Sequence, residues 1–403
     1  MSVLSDKRIL LGVTGSIAAY KAADLASKLT QAGAQVDVIL SGAAEKFVTP
    51  LTFQSVTGRR AYVDADLWGD EAHVLHVGLG HGVDLLIVAP CTANTLAKLA
   101  HGQADSLLTV TALAADCPLV IAPAMDGGMF EHPATQDNLE TLKKRGATIV
   151  GPAEGHLASG LTGPGRMVEP LEILGHARLA LGQKGVLAGK KVVITAGGTQ
   201  EPLDPVRVLT NRSSGKQGYA LAQAALDAGA QVTLITTPTG LTPPVGAQVI
   251  QVETAKQMLD CVLTESTGSD ALVMAAAVAD FRPKNQSKEK IKKEGGLPQI
   301  ELEATEDILK TVAGRRSEMK RPFVVVGFAA ESRDLVENAS SKLTSKGLDM
   351  IAANDISAGD AGFAVETNRV TLLFADGRKE SLPLMSKSEV AETIIEQIAG
   401  LLE

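Results

Sequence analysis

Residues 7–40 read KRILLGVTGSIAAYKAADLASKLTQAGAQVDVIL, and residues 190–236 begin KKVVITAGGT and close with GYALAQAALDAGAQVTLIT. Each stretch has a basic start, a buried-strand run, a glycine turn, an Ala/Leu-rich helix, the word AGAQV (at Ala32 and at Ala228) and a second strand. The chain therefore opens a nucleotide-type α/β domain twice. A fold restarted half-way implies two sites, with room for two reactions. Helix–Gly–Ala–strand transitions recur in doubly wound folds, so the echo speaks for two similar domains rather than a recent duplication.

Composition agrees. The 403 residues suggest two or three domains. Hydrophobic residues make up 45%, glycines number 39 and aromatics only 3%, as expected for parallel sheets of Val, Ile and Leu under Ala-rich helices. The aromatic shortage argues against a base-stacking nucleic-acid surface, and the net charge of −8 against phosphate-backbone binding. Cys91, Cys117 and Cys261 are scattered and contain no CxxC, so neither a disulfide framework nor a zinc site is indicated. MSVLSDK leads straight into a strand with no signal peptide, and no apolar run approaches the ~20 residues of a membrane span. The expectation is a soluble cytoplasmic protein without membrane partners.

In the first half, strands at Ile9–Val13, Val36–Leu40, Leu85–Ala89, Leu119–Ala122 and Thr148–Val150 alternate with helices at Ile17–Ala32, Ala93–Ala100, Ser106–Ala115 and Ala134–Arg145. Such alternation predicts parallel β-α-β units, whose ligands sit at the carboxyl ends of the strands. Three loops at those ends are rich in small polar residues. GVTGSIAAYK offers Gly15 and Ser16 before a helix, where N–H groups favour an anion. IVAPCTANTLAK offers Thr92, Asn94 and Thr95, and PAMDGGMF offers Met125 and Asp126. The spacing lacks both GxGxxG and GxxxxGK[ST], so a mononucleotide such as FMN suits it better than a dinucleotide. HLASGLTGPGRM, residues 156–167, has neither helical nor strand period and reads as a glycine-rich flap.

A helix at Leu171–Leu181 precedes a glycine-rich linker at 183–190, which bounds domains at 1–182 and 191–403. From Thr195 a long structureless loop leads to a helix near Gly218–Ala228. Within it NRSSGK sets Asn211, two serines, a glycine and Lys216 just ahead of that helix, as a cradle for an anionic substrate or else an exposed polar loop. A strand at Ala271–Ala277 leads into AAVAD. RPKNQSKEKIKKEGG follows as a solvated, lysine-rich loop, and a helix starts at Thr305–Leu309.

GVTGSIAAYK, IVAPCTANTLAK, PAMDGGMF and SGLTGPGRM resemble the homo-oligomeric flavin-containing cysteine decarboxylases. ITAGGTQEPLDPVRVLTNRSSGK, AAAVADF, EKIKK and GFAAES resemble phosphopantothenate–cysteine ligase. In this order, over nearly the whole chain, they resemble the bifunctional coenzyme A biosynthesis proteins, in which a phosphopantothenoylcysteine decarboxylase is fused to the ligase. The resemblance implies two doubly wound parallel-sheet domains, a flavodoxin-like flavoprotein domain followed by a Rossmann-like ligase domain. It implies FMN and Mg2+ as cofactors, and CTP, 4'-phosphopantothenate and cysteine as substrates. It also implies a homo-oligomer, with flavin-domain trimers and ligase-domain dimers.

By the same resemblance, the flavin is held by Gly15, Ser16, Ser41, Thr92, Asn94, Thr95 and Met125. The decarboxylase base is His76, chosen over His73, His81 and His101; imidazole is the side chain most easily poised as a base near neutral pH. Asp126 stands where the family has an asparagine that contacts the substrate carboxylate, so it must be protonated, face a donor or turn away. Ser159 stands where many members have a proton-donating cysteine, and a hydroxyl is a far weaker acid than a thiol of pKa ~8.5. In the ligase, Lys290 acts on the activated acyl intermediate, and Asn211 and Arg207 hold it. Asp280 and the backbone of Ala275, Ala276 and Ala277 read cytosine. Glu306, Asp307, Ile308 and Leu309 offer amide groups to phosphate, and Phe328, Lys342 and Lys346 complete the nucleotide contacts. The Mg2+ ligands stay open. The departures at Asp126 and Ser159 leave a second possibility for the first half, a flavin-binding regulatory or scaffold module without turnover.

Overall fold

The computed structural model describes residues 2–68, 74–292, 299–319, 321–331, 334–355 and 367–403. They form two compact units, Ser2–Gly182 and Gln183–Glu403.

The first unit runs β1 (Arg8–Val13), α1 (Ala19–Gln31), β2 (Gln35–Leu40), α2 (Pro50–Thr57), β3 (Ala61–Val63), α3 (Leu75–Gly80), β4 (Leu85–Cys91), α4 (Ala93–His101), α5 (Leu107–Ala114) and β5 (Leu119–Pro123). It continues with α6 (Gly127–Glu131), α7 (Pro133–Lys144), β6 (Thr148–Ile149), β7 (Ala153–His156), β8 (Thr162–Arg166) and α8 (Pro170–Gly182). The main sheet is parallel, in the order β3-β2-β1-β4-β5-β6. Without the short edge strand β3 this is the flavodoxin-like order. After Arg8, β1 carries no polar side chain because it is buried on both faces. Ile9, Leu11 and Val13 pack with Leu25, Leu29 and Ile173, whereas Leu10 packs with Leu96, Leu108 and Leu139.

The second unit runs β9 (Lys191–Ala196), β10 (Gln200–Pro202), β11 (Val208–Thr210), α9 (Lys216–Asp227), β12 (Gln231–Thr236), β13 (Gln248–Gln251), α10 (Ala255–Ser266), β14 (Ala271–Met274), β15 (Phe281–Pro283) and β16 (Leu302–Ala304). It continues with α11 (Ile308–Met319), β17 (Val324–Glu331), α12 (Leu335–Ser345), β18 (Met350–Asp355), β19 (Thr367–Asn368), β20 (Val370–Phe374), β21 (Lys379–Ser381), β22 (Met385–Ser386) and α13 (Lys387–Leu402). Its sheet is ordered β13-β12-β9-β14-β17-β18-β20-β21, parallel as far as β18 and antiparallel beyond. The parallel part repeats the order of the first sheet, strand for strand. In both sheets the strand order reverses between two parallel neighbours, β1/β4 and β9/β14, and that crevice is where such sheets bind ligands.

Four expectations are corrected. The glycine-rich flap is an antiparallel hairpin, β7–β8. The loop after Thr195 holds a second hairpin, β10–β11. The strand expected over Ala271–Ala277 stops at Met274, because the Ala276 N–H turns to Thr195 Oγ1 at 3.1 Å. Residues 183–190 pack as part of the second unit: Leu187 is fully buried and its N–H donates to the Ala228 carbonyl at 2.7 Å. No helix among the described residues is long and apolar enough to cross a membrane.

Candidate active sites at the two sheet edges

In the first unit Thr14 spans the crevice. Its hydroxyl donates to the Pro90 carbonyl at 2.7 Å and accepts from the Thr92 N–H at 3.0 Å, so the loops after β1 and β4 are bolted together. Thr92 then caps α4, accepting from the Thr95 N–H. Asp64 joins two further loops, accepting from the Gly42 N–H at 3.0 Å and the Leu107 N–H at 3.1 Å. These ties enclose a cavity of about 550 Å3 lined by all seven residues expected to hold a flavin: Gly15, Ser16, Ser41, Thr92, Asn94, Thr95 and Met125. Asp64, Lys98 and Ser106 also line it and escaped the sequence reading; only their position in the fold marks them. Lys21, the lysine of GVTGSIAAYK, turns away to the Met167 carbonyl and to Glu169 at 2.6 Å. Burial pushes the Cys91 thiol up, leaving it a neutral core group beside Thr92.

Asp126 and Ser159 meet. The Ser159 hydroxyl donates to Asp126 Oδ2 at 2.6 Å, and the Gly128 N–H donates to Oδ1 at 3.1 Å. Those two bonds, the serine's first, hold the Asp126 carboxyl below its ordinary range. Of the three options for Asp126 the structure shows the second: it faces donors. The same hairpin is pinned by the Met125 N–H, which donates to the Gly165 carbonyl at 3.0 Å. Gly165 has φ +145°, and a Cβ there would lie 2.2 Å from the Met125 carbonyl oxygen. A carboxyl depressed on folding keeps its contact above the ordinary pKa of about 3.9 and loses it as pH falls through the lower folded value. Carboxyl-carbon NMR should therefore place the Asp126 midpoint below that value, and Ser159→Ala should move it upward. An unchanged midpoint in the variant would remove the serine as its cause.

His76 lies on α3 outside the cavity lining, and its Nδ1 is buried without a hydrogen-bond partner among the described residues. His81 is exposed at the end of the same helix. His73 lies outside the described residues.

In the second unit a cavity of about 710 Å3 opens at the β9/β14 crevice. Its lining includes Asn211, Ala275, Ala276, Ala277, Asp280, Glu306, Asp307, Ile308, Leu309, Phe328 and Lys346, all expected from the sequence. α9 can start close against β9 because Gly218 has no side chain; a Cβ there would meet the Ala196 Cβ at 2.5 Å. The backbone after β14 is held from several sides. Ala279 N–H donates to Thr199 Oγ1 at 2.9 Å, Asn211 Nδ2 to the Val278 carbonyl at 3.0 Å, and Thr305 Oγ1 to the Ala279 carbonyl at 2.6 Å. The N–H groups of Ala276 and Ala277 are likewise engaged, with Thr195 Oγ1 and the Gly197 carbonyl. Asp307 accepts from the Lys310 N–H at 3.2 Å and pairs with Lys346 at 3.2 Å.

Arg207, Lys290 and Lys342 do not line this cavity. Lys346 is the C-cap of α12 and stands one turn along from Lys342, its N–H donating to the Lys342 carbonyl at 3.0 Å. Gln217, Asn354, Asn368 and Lys387 do line it and were not expected. Asn368 Nδ2 donates to Gln217 Oε1 at 2.8 Å, and Gln217 Nε2 to the Lys387 carbonyl at 3.1 Å. Gln217 directly follows NRSSGK, the one local signal among the four.

Residues 2–177 match the family described as Flavoprotein, and residues 187–402 the family described as DNA/pantothenate metabolism flavoprotein C-terminal domain. The coenzyme A biosynthesis bifunctional protein CoaBC of Bacillus subtilis (strain 168) is 46% identical over 402 residues, covering 99% of this chain and 98% of that protein. The chain belongs to the CoaBC family. CoaBC of Mycobacterium tuberculosis (strain ATCC 25618 / H37Rv) is 44% identical over 408 residues, covering 98% of this chain and 97% of its own. A crystal structure of a CoaBC C-terminal domain is 43% identical with a TM-score of 0.46, covering 54% of this chain and 98% of that one. Membership makes this chain a bifunctional enzyme of coenzyme A biosynthesis, and its two units correspond to the two halves of CoaBC.

Proposed function

We propose that the second unit joins 4'-phosphopantothenate to cysteine at the expense of CTP, and that the first unit decarboxylates the resulting phosphopantothenoylcysteine to 4'-phosphopantetheine. What carries this reading is that each half has its own cavity at its own strand reversal, with different chemistry in each. The first is lined by hydroxyls and small residues at the starts of α1 and α4. A cavity of about 550 Å3 falls in the usual range for cofactor sites, and helix N-termini beside hydroxyl donors suit the phosphate of FMN. Bound FMN supplies a reversible two-electron oxidation that gives the departing carboxylate an electron sink. The chain's part is to seat the flavin with Gly15, Ser16, Ser41, Thr92, Asn94, Thr95 and Met125, and to offer His76 as base. The bond from Ser159 to Asp126 ties the β7–β8 hairpin to the loop that carries Met125.

In the second unit, the phosphopantothenate carboxylate attacks the α-phosphate of CTP, pyrophosphate leaves, and the cysteine amine then displaces CMP. Asn211 and Arg207 hold the acyl-cytidylate and Lys290 acts on it. Asp280 and the Ala275–Ala277 backbone face the base. Glu306–Leu309, Phe328, Lys342 and Lys346 take the rest of the nucleotide. No group of three His, Cys, Asp or Glu side chains stands together to hold a metal among the described residues. Mg2+, when bound, would offset the charge of the CTP phosphates. In this reading the flavin units assemble as trimers and the ligase units as dimers, in the cytoplasm, and the exposed Ile17, Tyr20 and Leu51 of the first unit are apolar surface that an assembly would cover.

The purified chain should be yellow, or should become so on titration with FMN at one equivalent per chain. A colourless protein that takes up no FMN would remove the decarboxylase half of this reading.

A further inference from the structure

The lysine-rich tract is not a free loop at its near end. Ile291, the residue after Lys290, has both backbone polar groups taken. Its N–H donates to Asp204 Oδ2 at 3.1 Å, and its carbonyl accepts from Arg207 Nη2 at 3.2 Å. Four residues earlier, the Ser287 N–H donates to the Leu203 carbonyl at 3.0 Å. Asp204 also shapes the β10–β11 turn, accepting from the Val206 N–H at 2.8 Å and the Arg207 N–H at 2.9 Å on Oδ1. Its side chain is fully buried, with the Arg207 guanidinium 3.6 Å away. Burial alone would raise the Asp204 carboxyl. The backbone donors Val206, Ile291 and Arg207 outweigh it and hold the group below its ordinary range.

A buried carboxylate that spends its acceptors on two chain segments 87 residues apart works as a fastener. One segment carries Lys290. The other carries Arg207 and runs through Thr210 into Asn211, which lines the nucleotide cavity. We propose that Asp204 is the positioning residue of the ligase site, seating the Lys290 segment on the hairpin that bears Arg207 so that both cations address the acyl intermediate as one body. This rests on the ligase reading above, because Lys290 and Arg207 have their roles from it. Asp204 touches no substrate; it acts through Ile291 and Arg207.

The test uses the full chain. Asp204→Asn keeps the size of the side chain but removes its charge and one acceptor. Its kcat for amide formation should fall about 10²-fold, the scale of a misplaced catalytic group, while the KM for CTP stays near the unsubstituted value. In a Lys290→Gln background the same change should cost clearly less than in the unsubstituted chain, because one of the two cations it positions is already gone. Hydrogen exchange over residues 284–292 should speed up in Asp204→Asn. Ile291→Pro, which removes the donor N–H and leaves Asp204 in place, should reproduce the kcat loss and covers the case in which the aspartate variant does not fold. Normal kcat in both variants, a loss undiminished in the Lys290→Gln background, or unchanged exchange would each overturn the proposal. Absence of CTP-dependent ligation in the unsubstituted chain would instead remove the ligase reading, and the exchange measurement would still decide whether Asp204 holds the segment.

Discussion

His76→Asn should cut CO2 release from phosphopantothenoylcysteine by about 10²–10⁴-fold, the usual worth of a general base, and leave CTP-dependent ligation at its unsubstituted rate. The asymmetry follows from the division of the chain: His76 is in Ser2–Gly182, whereas the ligase cavity is built from Gln183–Glu403. His76 sits on a helix of six residues whose other side chains do the packing; Leu79 is buried against the core under α5. Its Nδ1, buried and unpartnered among the described residues, is a costly arrangement for a residue with only a packing role. Asparagine keeps the polarity and some of the volume and removes the titratable nitrogen. Both activities are measured on one preparation, CO2 by trapping and ligation by pyrophosphate release. Equal loss of both would make the histidine structural, and retained CO2 release would move the base elsewhere.

Lys290→Gln should lower amide formation by about 100-fold while changing stability by only about 0.5 kcal/mol, as for most surface substitutions. Lys290 is exposed, so its side chain is worth little to the fold. In the proposed reading its value lies in reaching the reacting centre from a segment fastened on either side at Ser287 and Ile291. If the lysine acts after activation, the variant still releases pyrophosphate from CTP and accumulates acyl-cytidylate. If it holds the triphosphate, pyrophosphate release falls in step with amide formation. Near-normal ligation would reduce the basic tract to a solvated loop.

The architecture is legible in the sequence because a strand buried on both faces has to be a continuous apolar run, and Ile9–Val13, Leu85–Ala89 and Leu119–Ala122 are such runs. Residues lining the first cavity are legible for a related reason: Gly15, Ser16, Thr92, Asn94 and Met125 closely follow β1, β4 and β5, where such sheets bind ligands. Those lining the second cavity are legible through the family resemblance of their motifs. What escaped depends on partners distant in sequence. β14 ends where Thr195, 81 residues earlier, takes the Ala276 N–H. The β7–β8 hairpin has no alternating apolar pattern, because its strands, AEGH and TGPGR, are made of glycines, a proline and polar residues beside a single alanine. The contact between Asp126 and Ser159 joins positions 33 residues apart, and neither residue alone announces the other. Lys98 reads as an ordinary helix lysine until the fold sets it at the cavity wall.

That 2.6 Å contact makes Asp126 and Ser159 an energetically coupled pair, so the effect of changing one depends on the other. A cysteine placed at 159 opposite an ionised Asp126 would have its thiolate opposed by a like charge, so its acidity would fall just where a donor is wanted. An asparagine placed at 126 opposite Ser159 would weaken the charge-assisted bond that closes the hairpin. Either substitution alone thus disturbs a contact that Asp126 and Ser159 make only together.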